Sequence, residues 1–176
     1  MALVGVGCTA LVAVVFGFAA VGKLRDRAAW AAFVATTGAM LPTRLAPRPV
    51  AVVVAGAEVA TAVLAVAALV TRAAGVALAA LGLAAVLLAA FLTGIAGVLR
   101  SGHAVRCRCF GSSGAEFGRN HLVRNGILLL VVACGLGTTG HPPLDGAVLV
   151  AAATGAVCGL LAAYWDELAF LFSAPA

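Results

Sequence analysis

The chain divides into long apolar blocks separated by short polar stretches. It shows neither the alternation of a half-buried strand nor the one-sided stripe of a surface helix. Residues 3–22, LVGVGCTALVAVVFGFAAVG, form the first block, and residues from about 50 to 70 and about 75 to 98 form the second and third, separated by TRAA. Leu122 to Thr138 and Gly146 to Trp165 form the fourth and fifth, joined by TGHPPLD, whose prolines stop both. Each block is near the roughly 20 residues that carry a helix across about 30 Å of hydrocarbon. Helix is the expected form, because an unpaired backbone N–H or C=O is intolerable in lipid. No basic segment precedes the first block and no small-residue cleavage site followed by a mature domain comes after it, so it reads as a spanning helix and not a signal peptide. The expected fold is all-α: a polytopic membrane bundle of four to five transmembrane helices in a single domain over residues 1–176. Small-xxx-small pairs are nearly unavoidable in so alanine-rich a chain and by themselves single out no helix pair.

Composition agrees with a bilayer setting, since 64% of the residues are hydrophobic and only 10% charged. The net charge of +5 is gathered in short loops, which argues against nucleic acid as a partner and for a role in orientation. Lys23, Arg25, Arg27, Arg44 and Arg48 fall in the first connection, and Arg100, Arg106, Arg108 and Arg119 in the third. The second has only Arg72. The positive-inside rule then places the first and third connections and the C-terminus in the cytoplasm, as expected of a multi-pass protein of a bacterial inner or cytoplasmic membrane.

Within the first connection Trp30, Phe33, Met40 and Leu41 stand among small residues. This is the pattern of a short helix at the interface or folded back into the bundle, or of a connector packed beneath it. Glu58 lies well inside the second span, where an ionised carboxylate costs at least a few kcal/mol unless paired, protonated or wet. Two roles stand open: a structural acid tied to Lys23 or Arg124, and a proton- or quinone-linked group.

The segment SGHAVRCRCFGSSGAEFGRNHLVRNG carries the distinctive chemistry. Cys107 and Cys109 are set one residue apart, with Arg106 before the first and Arg108 between them, and Phe110 and Gly111 following. A bridge between residues i and i+2 needs a backbone turn, which Gly111 eases, and so small a ring is strained and readily reduced. The arginines favour the thiolate, the nucleophile of disulfide exchange. These features suit a redox-active dithiol and a thiol–disulfide oxidoreductase activity. A competing reading makes His103, Cys107, Cys109 and His121 a zinc or copper(I) set in a non-enzymatic scaffold or metal-binding protein, although the arginines would oppose a cation. A third leaves the thiols inert. Cys8, Cys134 and Cys158 fall inside spans, where cysteine commonly acts as a small hydrophobe; Cys8 and Cys134 share a depth near the outer face.

FGFAAVGKLRD, the LP at Leu41 and Pro42, Glu58 in the next span, and above all CRCFG followed by RNGILLL resemble the methylamine utilisation protein MauE family of MauE/DoxX-like redox-associated membrane proteins. The likeness runs over most of the first four spans. It implies a helical membrane bundle that works beside a thioredoxin-like protein in forming or rearranging disulfides of an exported client. In the namesake role that client is the small subunit of methylamine dehydrogenase. On this likeness Cys107 and Cys109 are the reactive pair, Phe110 and Gly111 complete their motif, and Arg124 and Asn125 match the following RN; Arg108 stands where many members have glycine. Quinone is a candidate cofactor. An exported client conflicts with a cytoplasmic cysteine loop unless the charge rule fails here or electrons cross the membrane.

Overall fold

The structure is a computed structural model that describes residues 1–41, 45–101, 119–140 and 145–165. Six helices follow one another: α1 (Ala2–Leu24), α2 (Arg27–Met40), α3 (Pro47–Thr71), α4 (Ala74–Ser101), α5 (Arg119–Gly137) and α6 (Gly146–Ala163). There is no strand among the described residues. Local chemistry fixes the helix ends. The Asp26 carboxylate accepts the Ala29 N–H at 2.7 Å and starts α2, and Asp145 accepts from Val148 at 3.0 Å and starts α6. Pro47 opens α3, in the first turn, where its missing N–H costs nothing. Arg72 closes α3 in the left-handed conformation, φ 59°, with its N–H on the Ala68 carbonyl, and so turns the chain into α4 within two residues.

α1, α3, α4 and α6 are each long and apolar enough to cross a membrane. α5 is apolar over His121–Gly137 although its first turns hold His121, Arg124 and Asn125. It nevertheless runs the length of the bundle: Thr138 packs on Gly5 at one end of α1, while Arg124 comes within electrostatic reach of Lys23 near the other. The expected fourth span is therefore present, with His121, Arg124 and Asn125 buried in its first turns.

α1 is the central element, packed on α3, α5 and α6. Leu11, Val12, Val15 and Phe16 of α1 meet Ala65 of α3, Leu81, Ala84 and Leu88 of α4, and Leu128 and Val132 of α5 in one apolar core. Outward-facing residues such as Val53, Val63, Val70, Val86 and Leu149 are large, apolar and exposed, which in water would be a liability and in lipid is the expected surface. The small-xxx-small pattern, uninformative in the sequence, proves selective in space. α6 lies against α1 through Gly155 and Gly159, where a Cβ on Gly159 would stand 2.9 Å from both the Leu11 carbonyl oxygen and the Val14 Cβ. At such a contact the glycines let two backbones approach, the packing that lipid-embedded helices use in place of hydrophobic collapse.

The first connection folds back into the bundle. α2 packs on α3, α1 and α4, burying Phe33 against Ala51 and Ala55, with Trp30 tilted against Phe33 at 5.9 Å between ring centres. Thr36 and Thr37 satisfy their hydroxyls on the carbonyls of Ala32 and Phe33, which lets this short helix turn a polar stripe inward at little cost.

Candidate functional site

Among the described residues, ionisable side chains are deeply buried at one end of the bundle. Lys23 occupies the last turn of α1 and Glu58 the middle of α3, and each is 1% exposed. The Lys23 ammonium donates to both carboxylate oxygens of Glu58, at 2.7 Å to Oε1 and 2.8 Å to Oε2. Of the two partners expected for Glu58, the structure selects Lys23. The ammonium also lies over the Phe33 ring at 4.9 Å and the Phe91 ring at 5.7 Å, so that α2 and α4 close around the pair from two sides. Arg124, on the second turn of α5, is buried and acts electrostatically on Lys23.

α5 contributes the remaining polar groups. His121 and Asn125 are buried one turn apart, and the Asn125 amide donates to the His121 carbonyl at 2.9 Å. This bond gives the amide a partner inside its own helix, which lets a buried asparagine sit in an apolar bundle. The RN pair of the motif is thus part of the polar end of the bundle: Arg124 faces the Lys23 region and Asn125 ties into α5. Thr61, one turn beyond Glu58 and fully buried, donates to the Ala57 carbonyl at 2.8 Å.

The cysteine connection is attached to this same end. Phe91 stands at the level of Lys23, and α4 continues ten residues beyond it to Ser101, about 15 Å of helical rise. α5 begins at Arg119, five residues before Arg124. Both anchors of the segment 102–118 therefore lie past the Lys23–Glu58 pair on one side of the bundle. His103, Arg106, Cys107, Arg108, Cys109, Phe110 and Gly111 fall within that segment and outside the described residues. Of the alternative ligand set only His121 is described, buried in α5; no group of three or more His, Cys, Asp or Glu side chains placed to hold a metal occurs among the described residues.

The match to a protein-family model now joins this geometry. Residues 1–138 fit the model described as methylamine utilisation protein MauE, a span that takes in α1 to α5 and the cysteine connection. The chain belongs to the MauE family. No curated protein and no solved structure shows significant similarity to it. Membership and the apolar helices together make it a multi-pass membrane protein, related through its family to methylamine utilisation.

Two contributors were not singled out as site residues in the sequence. Phe33 and Phe91 brace Lys23, but in an apolar chain a phenylalanine that faces a cation looks like any other. Lys23 itself carried a readable signal, as the cation in the last turn of an otherwise apolar span.

Proposed function

We propose that this MauE-family protein is a membrane thiol–disulfide redox protein whose working groups are Cys107 and Cys109. In the proposed cycle the thiolate of one cysteine attacks a disulfide sulfur of a thioredoxin-like partner, forming a mixed disulfide. The second cysteine then attacks its neighbour's sulfur, releasing the partner as a dithiol and leaving Cys107 and Cys109 bridged. Run in reverse, the same two exchanges hand a disulfide on toward an exported client, with the small subunit of methylamine dehydrogenase the client in the family's namesake role. The setting proposed is a bacterial cytoplasmic membrane.

The observation that carries the reading is the arginine-flanked CRCFG element in a segment whose two anchors, α4 and α5, both lie beside a rigid, buried polar end of the bundle. Arg106 and Arg108 add positive charge next to the thiols in sequence, which lowers the cost of a thiolate. In this account Glu58 and Lys23 are positioning residues: they lock α1 to α3, and with Phe33 and Phe91 they fix the ends from which the cysteine segment departs.

The direct test is capture of the mixed disulfide. A Cys109→Ser or Cys107→Ser variant, whichever removes the resolving thiol, should accumulate a reducible covalent adduct with a thioredoxin-fold protein in membranes. Absence of any adduct from both single variants, with both well expressed, would defeat the proposal. Stoichiometric zinc or copper in the purified wild type, lost in Cys107→Ser, would replace it with a metal-binding role.

A further inference from the structure

Cys8 on α1 is buried at the α1–α5 interface, about 22 Å of helical rise from Lys23. α5 makes room for it with Gly135: a Cβ there would stand 2.8 Å from the Cys8 Cβ, so the Cys8 side chain lies directly against the α5 backbone. The residue before that glycine is Cys134, exposed on the bundle surface. Cys8 thus packs on α5 one residue away from Cys134. A cleft of about 380 Å³ opens between α1, α5 and α6 at this level, lined by Gly7, Cys8, Val131, Gly155 and Cys158 among others. Val131 and Cys134 are three residues apart and share a helix face, so the cleft leads to the junction where Cys8 meets α5.

We infer that Cys8 and Cys134 are a second redox-active dithiol, able to close into a disulfide across the α1–α5 interface, toward the end of the bundle away from the Lys23–Glu58 pair. The pair is distinct from Cys107 and Cys109 and does not depend on their chemistry. Its surroundings select the oxidant. The cleft walls are almost wholly apolar and Cys134 is exposed on an apolar helix, so a thiolate and a water-soluble disulfide are both poorly accommodated. A lipid-soluble two-electron acceptor of the quinone class fits instead. In the step two S–H bonds break and one S–S bond forms, and the two electrons and two protons pass to the acceptor, which becomes its diol.

The test uses the full chain with Cys107, Cys109 and Cys158 replaced by alanine, purified in detergent and treated with tetramethyl-1,4-benzoquinone. Intact-mass analysis should show the loss of two hydrogens, with one quinol formed per chain, both alkylatable thiols gone, and full reversal by a phosphine reductant. Adding Cys134→Ala should abolish the intramolecular bond. As a check that needs no substitutions, peptide mapping of the oxidised five-cysteine chain should recover a Cys8–Cys134 linked pair. The inference is overturned if both thiols survive the quinone in folded protein, or if mapping finds Cys8 bridged to Cys158.

Discussion

Breaking the Lys23–Glu58 pair one partner at a time should be costly, and removing both together should not. The ammonium reaches both carboxylate oxygens within 2.8 Å and both residues are 1% exposed, so neither charge can recover solvation when its partner goes. Deleting one member of a buried pair typically costs about 3–5 kcal/mol, whereas replacing both by apolar residues of similar volume ranges from neutral to stabilising by about 1–4 kcal/mol. Lys23→Met also surrenders the cation over Phe33 and Phe91, worth about 2 kcal/mol when desolvated. Lys23→Met and Glu58→Gln should therefore each lose about 3–5 kcal/mol, with the lysine variant the worse. The double variant Lys23→Met/Glu58→Met should recover most of that loss. Reversible denaturation of the purified protein in mixed micelles, read by far-ultraviolet circular dichroism, gives the double-mutant cycle. A coupling energy under about 1 kcal/mol would refute the claim that this pair holds α1 to α3. If Glu58→Gln were fully stable and yet failed to reoxidise the Cys107–Cys109 pair, Glu58 would be a proton-handling group and not a positioning one.

Further outcomes follow from other parts of the molecule. Gly159→Ala puts a methyl against the Leu11 carbonyl and Val14 and should cost about 1–3 kcal/mol, whereas Gly82→Ala in α4, with open space around it, should be neutral or slightly stabilising; thermal denaturation compares them. The Ala29 N–H, aided by Arg25, holds the Asp26 carboxyl below the usual aspartate range. With its folded pKa depressed, this cap contributes above the unfolded value of about 4 and is lost as pH falls through the folded value, so the stability gap between wild type and Asp26→Ala should narrow in that acid window. The charge bias predicts that an impermeant maleimide labels Cys107 and Cys109 only after cells are permeabilised, in a chain with Cys8, Cys134 and Cys158 replaced by alanine; labelling of intact cells would reverse the orientation.

The spans were legible because hydrocarbon imposes one rule on every residue of a crossing helix, and a run of about 20 apolar residues has few other uses. Which faces meet was not legible, because in helices apolar all round the pattern that marks a buried face disappears. Glu58 illustrates the boundary. Its burial demanded a partner and the sequence narrowed the choice to Lys23 or Arg124, but only the register of α1 against α3 brings Lys23 onto Glu58, 35 positions away in the chain. Gly155 and Gly159 were invisible among the many small residues until α1 was seen to pack on them. The sequence did not show that His121, weighed as a metal ligand from its place near the cysteines, is a buried residue of α5 whose backbone carbonyl accepts from Asn125.

The redox state of Cys107 and Cys109 in native membranes tests the central claim most directly. Membranes equilibrated across a series of glutathione redox buffers, quenched in acid and alkylated with a mass-tagged maleimide, report the fraction of dithiol in a chain retaining only these two cysteines. The account predicts a reversible, two-electron titration within the range of thioredoxin-fold partners, roughly −120 to −270 mV. A pair that stays wholly reduced or wholly bridged throughout that range would contradict it.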